Sequence, residues 1–291
     1  SMDFAKTHEE GSSFRVFLES LPRILAGRDL RIAADAVVRA HRDGKPVILC
    51  MGAHPIKVGL SPVLIDLMER GLLSALAMTG ACMIHDFEVA YIGRTSEDVE
   101  SQLPKGQYGM ARETGQFING AISSGVRRGL GLGRAVGESM AMAELPYSHL
   151  SILVKAFELD IPVTVHLAVG TDIIHMHPQA DGASMGEGSL RDFGLFAALV
   201  SRLEGGVFIN LGSAVIMPEV FLKALGLVRN LGFPLHSFTT VNLDFIHHYR
   251  PLTNVVRRPA SLGGTGLALI GHHELLVPLL AAAVIERMAA G

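Results

Sequence analysis

The sequence predicts an α/β fold in which a doubly wound, mostly parallel sheet is covered by helices on both faces. Short, continuous apolar runs alternate with amphipathic patterns of 12 to 16 residues, and glycine or a polar residue ends each run. Strands of a parallel sheet give such runs because helices bury both of their faces. No linker, repeat or low-complexity tract divides the sequence, so we expect an N-terminal helical arm over 1–42 and one domain over 43–291.

The predicted elements follow one another along the whole chain. Residues 14–42 have apolar spacings of three and four, typical of helices, and Pro22 and Gly27 interrupt them. Strands are predicted at 45–53, 73–81, 161–170, 206–214 and 235–245. Helices are predicted at 59–71 (with Ser61 as N-cap), 149–160, 190–205, 218–232 and 273–288, and "ETGQFINGAISSGVRRG" is helical within the glycine-rich region 82–145.

The composition excludes several classes of protein. A hydrophobic content of 49% and a charged content of 18% are sufficient for a large core and exclude a disordered chain. The net charge is −3 and the basic residues are scattered, so we expect no nucleic-acid partner. Apolar runs such as 275–285 are shorter than the roughly 20 residues of a membrane span. Residues 1–13 lack the apolar core of a signal peptide, and we expect a cytoplasmic protein without a membrane partner.

The two cysteines do not indicate a cross-linked or metal-stabilised fold. Cys50 and Cys82 are too few for a disulfide framework or a four-cysteine zinc site. We interpret each as a small apolar residue that packs in the core.

Polar residues and histidines concentrate where the predicted strands end. In chain order, the segments that follow the five strands are "MGAHPIK", "TGACMIHDFE", "VGTDIIHMHP", "LGSAVIMPE" and "VNLDFIHHYRP". In doubly wound sheets, ligands bind beyond the carboxyl ends of the strands because helix N-termini and unpaired backbone amides converge there. The sequence therefore predicts a site for a small molecule at this edge.

Several of these segments resemble the deoxyhypusine synthase superfamily over roughly residues 45–250. The stretch "MGAHPIKVGLSPVLIDLMERGLLSALAMTGACMIHD" is similar to the first loop, helix and acidic loop of that family. Three later segments of this chain resemble later strand ends of that family: "IPVTVHLAVGTD", "GGVFINLGSAVIMPEVFLKA" and "SFTTVNLDF". The segment "ALAMTGACMIHDFEVAYIG" also resembles the NAD-binding domain of archaeal-type ornithine cyclodeaminases. The resemblance implies a Rossmann-like fold, NAD as cofactor and a homo-oligomer.

The sequence departs from the deoxyhypusine synthase pattern at its catalytic lysine. The family holds its aminobutyl group on the lysine of a Trp-Gly-Lys segment near the C-terminus, whereas this chain has no Trp and its last lysine is Lys223. Met217 and Pro218 replace the family's Lys-His after the glycine turn. We therefore expect no deoxyhypusine formation, although NAD binding needs only small residues, backbone amides and an acid.

The candidate cofactor ligands are small or polar residues at the strand ends. Gly52 and Ala53 would let a pyrophosphate approach the helix near Ser61, although an ordinary tight turn also explains them. The resemblance places Asp172 at a ribose hydroxyl, where an acid favours NAD over NADP. The other candidates are Thr79, Gly80 and Ala81 after the second strand, Gly212 and Ser213 after the fourth, and Asn242 and Asp244 at the fifth.

Three histidines are candidate catalytic residues. His85 could act as general acid or base with Asp86 fixing its tautomer, or Asp86 could simply cap a helix. In an extended segment, His175 and His177 would lie on one side of the chain, as a metal site requires. The same two residues could instead contact a substrate or cofactor, or form structural hydrogen bonds.

The segment 245–259 concentrates basic side chains that could hold an anionic substrate group. Arg250, Asn254 and Arg257 are its candidate substrate ligands, because guanidinium groups form paired hydrogen bonds with carboxylates and phosphates. A salt-bridge surface between subunits is the alternative.

These observations favour an NAD-binding enzyme that abstracts a hydride from a small polar amine or amino acid, with His85 or His175 moving the proton. One alternative is a metal-dependent hydrolase or lyase that uses His175, His177 and Asp172. The other alternative is a nucleotide-binding regulatory protein without catalytic activity.

Overall fold

Six strands form one sheet in the computed structural model, which describes residues 3–95 and 98–289. The strands are β1 (Val47–Met51), β2 (Ala75–Thr79), β3 (Val163–His166), β4 (Val207–Leu211), β5 (Thr239–Asp244) and β6 (Thr265–Ile270). Their order is β3-β2-β1-β4-β5-β6, and every neighbouring pair is parallel. This is the strand order of dinucleotide-binding folds, in which the chain direction across the sheet reverses between β1 and β4. The prediction of a doubly wound parallel sheet is confirmed.

The helices cover both faces of this sheet. They are α1 (Phe14–Ser20), α2 (Leu25–Arg42), α3 (His54–Lys57), α4 (Ser61–Glu69), α5 (Gly80–Ile92), α6 (Val99–Gln102), α7 (Arg112–Arg127), α8 (Leu132–Met142), α9 (Ile152–Glu158), α10 (Gly182–Val200), α11 (Ile216–Asn230), α12 (Tyr249–Pro251), α13 (Arg258–Ala260) and α14 (His273–Met288). Short 3-10 turns occupy Leu103–Lys105, Ser148–Leu150 and Ile173–Met176, and a π-helical turn occupies Leu252–Arg257.

Two apolar clusters sandwich the sheet. Alternate residues of β1 point to opposite faces, so Leu49 packs with α2, α4 and α14 while Ile48 packs with α10 and α11. On the second face the rings of Phe208 and Phe221 stack with centroids 3.6 Å apart. Both cysteines are buried and free, in agreement with their interpretation as core residues.

The N-terminal helices pack onto the main core. The predicted interruption at Pro22 separates α1 from α2, but Gly27 lies inside α2 and does not interrupt it. A Cβ at Gly27 would lie 2.3 Å from the carbonyl oxygen of Pro22, so glycine lets the two chain segments touch. Ala33 and Ala34 of α2 are fully buried, which places this helix in the cover of one sheet face.

The structure differs from the sequence expectations in three elements. The sequence does not predict strand β6, because its six residues lie between glycine-containing segments and only Leu267 and Leu269 are buried. Helix α10 begins at Gly182, where Asp181 is the N-cap, eight residues before the predicted start at residue 190. Ser61 is the first residue of α4, and Leu60 holds the N-cap position. Among the described residues, no helix is long and apolar enough to cross a membrane.

Candidate functional site

A pocket with a volume of about 120 Å³ opens at the carboxyl edge of the sheet, beside the ends of β2 and β3. We call it the Asp172 pocket. Its polar lining comes from Lys57 of α3, His85 and Glu88 of α5, Tyr108, Thr171 and Asp172, and its apolar lining from Ala81, Ile84, Val99 and Ile173. Asp172, His85 and Ala81, which were singled out from the sequence, therefore lie together.

Asp172 is held at the start of α5. Its carboxylate lies against Gly80, where a Cβ would approach Asp172 Oδ2 to 2.2 Å, so only glycine leaves space for the carboxylate. The positive end of the α5 dipole stabilises a negative charge at this position. Burial raises the pKa of Asp172, and the neighbouring imidazoles of His175 and His85 oppose this rise. The pocket thus contains one partly buried carboxylate close to two imidazoles.

His85 pairs with Glu88, which lies one turn further along α5. His85 Nδ1 lies 2.8 Å from Glu88 Oε2, and both side chains are largely buried. With Nδ1 engaged by Glu88, Nε2 is the ring nitrogen that remains for a ligand. The prediction that Asp86 orients His85 is wrong. The sequence signal for the actual partner is the i,i+3 spacing of His85 and Glu88, which places both on one face of a helix.

Asp86 instead caps another helix in the interior. Its carboxylate accepts hydrogen bonds from the Ser151 hydroxyl at 2.5 Å and from the backbone amides of Ile152 and Leu153 at 2.8 and 3.0 Å. These groups form the N-terminus of α9. Burial raises the pKa of Asp86 to about 6, although the hydrogen bonds oppose that rise. Asp86 therefore has a structural role and does not determine the tautomer of His85.

His175 stabilises its own loop through hydrogen bonds. Its Nδ1 accepts hydrogen bonds from the backbone amides of Gly170 and Asp172, at 3.1 and 3.2 Å. Together with the Asp172 side chain, which accepts from the His175 backbone, this forms a capping box around the turn Ile173–Met176. Because both bonds occupy the Nδ1 lone pair, the proton is on Nε2, which is buried. His175 is consequently poorly suited to the proton-transfer role expected from the sequence.

His177 is also structural and does not pair with His175. The segment forms a 3-10 turn rather than an extended strand, so the expected same-side arrangement is wrong. His177 Nε2 lies 2.8 Å from the Gly109 carbonyl oxygen, and its ring packs on Gly115 of α7. Within residues 3–95 and 98–289, no group of three His, Cys, Asp or Glu side chains could hold a metal ion. The metal-site alternative is therefore not supported by the geometry.

Small residues bring two loops together where the sheet order reverses between β1 and β4. A Cβ at Gly52 would lie 2.4 Å from the Gly212 carbonyl oxygen, and Gly212 itself has a φ of +63°. Ala53 caps α3 from the same loop, while the Ser213 hydroxyl accepts from the Met217 amide at 3.2 Å. The close contact of the two backbones requires glycine at position 52. Gly52, Ala53, Gly212 and Ser213 themselves place no bulky side chain at this edge of the sheet.

Asn242 lies beneath the edge and not at its surface. Its side-chain oxygen accepts a hydrogen bond from Asn210 Nδ2 at 2.7 Å, and both amides are buried on neighbouring strands. Asn210 Nδ2 also donates to the Ser213 carbonyl at 3.0 Å. The expectation that Asn242 contacts a cofactor is corrected, because this amide pair links β4 to β5 inside the protein.

A second polar cluster lies beyond the ends of β1, β4, β5 and β6, and we call it the histidine pair. It consists of His54 of α3 and His273 of α14, whose Nδ1 atoms are 2.8 Å apart. Asp244, at the end of β5, places Oδ1 3.8 Å from His273 Nε2. Sequence reasoning identified Asp244 but missed the pair, because the two histidines are 219 positions apart and β6 was not recognised.

The three candidate substrate ligands after β5 do not line the Asp172 pocket. Arg250 Nε lies 3.3 Å from Glu219 Oε1 on α11, and Asn254 Nδ2 donates to the same oxygen at 2.9 Å. Arg258 donates to Asn254 Oδ1 at 2.9 Å, and Arg257 is exposed to solvent. Glu219 thus already pairs with two of the three residues, in a polar network within this chain.

Comparison with known proteins identifies the fold. No family model and no curated protein matches the sequence. A LOR/SDH-type protein from Methanococcus maripaludis S2 is similar with a TM-score of 0.58 and 16% identity, over 97% of this chain and 70% of that one. A candidate deoxyhypusine synthase from Entamoeba histolytica gives 0.53 and 12%, over 97% and 96%.

A third similar structure is AgrE, described as a ternary complex with ornithine and NAD+. Its TM-score is 0.58 at 16% identity, over 96% of this chain but 34% of AgrE, so our chain spans about a third of that protein. At these identities the similarity concerns the fold. This chain thus has a Rossmann-like fold, consistent with that of the deoxyhypusine-synthase-like structure.

Proposed function

We propose that this protein is an NAD-binding enzyme that transfers a hydride from a small polar amine or amino-acid-like substrate. The observation that carries the proposal is the position of Asp172, a partly buried carboxylate held at the carboxyl edge between β2 and β3. In this strand order the dinucleotide crosses the edge near the reversal point, and an acid on the side of β1 to β3 receives the ribose hydroxyls.

The size and lining of the Asp172 pocket agree with one part of such a cofactor. About 120 Å³ is less than the roughly 300 to 1,000 Å³ of pockets that enclose a complete ligand. A ribose suits this space, and the pyrophosphate would continue over Gly52 and Ala53. Gly212 does not take part in this proposal, because the buried His273 ring covers it. Thr79, Gly80 and Ala81 begin α5 next to the same pocket, where unpaired backbone amides favour anionic groups.

We assign His85 to the binding of the ribose in the Asp172 pocket. It lines the same pocket as Asp172 and lies on the half of the sheet that binds the adenosine part in such folds. Its Nε2 can hydrogen-bond a ribose oxygen while Glu88 holds Nδ1. The proton-transfer role that the sequence suggested for His85 thus becomes a binding role in this proposal.

The substrate class rests on the fold neighbours and on the chain's own chemistry. AgrE is described with ornithine and NAD+, and ArgZ, another neighbour at 17% identity and a TM-score of 0.55, as an arginine dihydrolase from Cyanobacteria. NAD supplies the hydride acceptor when it is bound. The residues of this chain bind and orient the reactants and move a proton.

Calorimetric titration of the purified protein with NAD+, NADH and NADP+ tests the proposal. We expect NAD+ to bind, and Asp172→Asn to lower its affinity at least about tenfold, because a charge-assisted hydrogen bond to a ribose is lost. Asp43→Asn is the matched control, since Asp43 is exposed at the end of α2. Unchanged NAD+ binding by Asp172→Asn would contradict the assignment.

A turnover screen with amines and amino acids, followed as NADH absorbance, then separates an enzyme from the regulatory alternative. NADH formation with any member of the screen supports hydride transfer. NAD+ binding without turnover across the screen favours a nucleotide-binding protein without catalytic activity.

A further inference from the structure

The histidine pair lies beyond the ends of β1, β4, β5 and β6, whereas the Asp172 pocket lies beside the ends of β2 and β3. His54 opens α3 after β1, and His273 opens α14 after β6. The His273 ring covers Gly212, where a Cβ would lie 2.7 Å from His273 Cε1. His273 is completely buried, whereas His54 is half-buried. Phe245 packs on both rings, at centroid distances of 5.5 and 5.7 Å.

The Nδ1 atoms of the pair must share one proton. At 2.8 Å they form a hydrogen bond, so one ring donates through Nδ1–H and the other accepts with an Nδ1 lone pair. If His54 donates, its Nε2 carries a lone pair and His273 carries its proton on Nε2. If His273 donates, the protonation at both Nε2 atoms is reversed. The surroundings of the two Nε2 atoms therefore decide which ring can act as a base.

Asp244 favours the arrangement in which His54 is the donor. His273 Nε2 is buried without a hydrogen-bond partner and lies 3.8 Å from Asp244 Oδ1. A proton on this nitrogen is attracted to the carboxylate, whereas a lone pair would be repelled by it. The other ionisable groups at this cluster are His248, whose Nε2 lies 3.8 Å from Asp244 Oδ2, and Glu274, which also acts on His273 through its charge.

The Nε2 atom of His54 is then an unprotonated nitrogen next to the reversal point. In the described part of the chain, no protein group forms a hydrogen bond with it. In folds with this strand order, the half of the sheet from β4 to β6 carries the nicotinamide part of the cofactor. A base at this position would face the reacting end of the dinucleotide, while Asp172 would lie at the adenosine end.

We propose that His54 is the proton acceptor of the hydride-transfer reaction, with His273 and Asp244 as positioning residues that keep His54 Nε2 free of a proton; this inference rests on the proposed function. NAD+, when bound, would supply the acceptor for the hydride of the C–H bond next to the substrate nitrogen, and for the two electrons that the substrate loses. His54 Nε2 would accept the N–H proton as the amine becomes an imine.

The tautomer of His54 tests the positioning roles without any substrate. Long-range proton–nitrogen NMR at pH 8 should show His54 with its proton on Nδ1 and His273 with its proton on Nε2. His273→Leu removes the acceptor, and His54 should change to the Nε2-protonated form that free histidine prefers. His273→Asn keeps an oxygen acceptor and should retain the Nδ1-protonated form. An Nε2 proton on His54 in the unaltered protein, or the same His54 spectrum in both variants, would overturn the inference.

Chemical modification tests the position of His54 relative to the cofactor. Diethyl pyrocarbonate reacts with unprotonated imidazole nitrogen, and peptide mass spectrometry measures the rate at each histidine. Saturating NAD+ should slow modification of His54 at least about tenfold, because the occupied site excludes the reagent. His8, exposed in the N-terminal segment, is the internal control and should react at an unchanged rate.

The two failures can be told apart. If calorimetry shows NAD+ binding but His54 reacts as fast as without it, the role of His54 is refuted and the proposed function stands. If NAD+ does not bind at all, the proposed function is refuted, and the role of His54 in hydride transfer is refuted with it.

Discussion

The carboxylate of Asp172 rests directly on the Cα of Gly80, so that a methyl group at position 80 would lie 2.2 Å from Asp172 Oδ2. The contact joins the end of β2 to the loop after β3 and defines one wall of the Asp172 pocket. It also explains why a glycine begins α5, although a glycine at the first turn of a helix lowers helix propensity.

Substituting Gly80 by Ala should therefore affect ligand binding more than folding. The atoms nearest to the new Cβ are the ends of the Asp172 and Leu167 side chains, which can rotate away, so the loss of stability should be about 1 kcal/mol. The displaced carboxylate should lower NAD+ affinity about tenfold in calorimetry. Gly120→Ala, where nothing lies within 4 Å, is the control. Full NAD+ affinity in Gly80→Ala would argue against this geometry.

A matched pair of substitutions on α7 tests the structural role of His177. A Cβ at Gly115 would lie 2.2 Å from His177 Nδ1, and the ring is anchored to the Gly109 carbonyl. Gly115→Ala should destabilise the protein by about 2 kcal/mol or more in urea unfolding, because a buried ring must move. Gly120→Ala on the same helix should be neutral or stabilise by up to about 1 kcal/mol. Equal effects of the two changes would contradict the tight packing of His177.

Because of Asp192, the free energy of unfolding should depend on pH between the usual pKa of an aspartate and neutral pH. It is buried in α10, where it accepts hydrogen bonds from the amides of Gly133 and Val165 at 3.0 and 2.7 Å. Burial raises the pKa of Asp192 from 3.8 to about 7. Between these values the folded protein holds a proton that the unfolded chain has lost, so stability falls as pH rises through this window and levels off above about pH 7.

Urea unfolding at pH 5 and pH 8 measures this contribution. The variant Asp192→Asn has no carboxyl group to titrate, and its loss of stability between the two pH values should be smaller by of order 2 kcal/mol. Asp86, whose pKa burial raises to about 6, contributes in the same direction in both proteins and cancels in the comparison. Asp43→Asn, an exposed control, should keep the full dependence. Parallel pH curves for Asp192→Asn and the unaltered protein would refute the assignment.

Local sequence patterns identified the strands whose residues are all or nearly all buried. Each of the five predicted apolar runs contains a strand, since a residue buried on both faces of a sheet must be apolar. Strand β6 escaped detection because its buried residues alternate with partly exposed ones, so its sequence lacks the continuous burial of the other strands. The start of α10 was hidden by the glycines of "GASMGEGS", whose low helix propensity is overridden by packing.

The candidate site was predictable in position but only partly in composition. The rule that ligands bind beyond the carboxyl ends of parallel strands brought Asp172, His85 and Ala81 to attention, and the structure places them in one pocket. Asn242 follows the same rule in sequence yet turns inward to Asn210. The direction of a polar side chain depends on partners from distant segments, which no local pattern contains.

The amino-acid sequence alone determined the parallel α/β architecture and the edge at which the polar side chains collect, because burial and turn formation depend on near neighbours. Only the tertiary structure decided which partner each polar side chain has. It pairs His85 with Glu88 instead of Asp86, uses His175 and His177 as loop supports, and brings His54 to His273 across 219 positions. Hydrogen bonds and charge interactions act over a few ångströms in space, and the folded sheet alone makes such distances short.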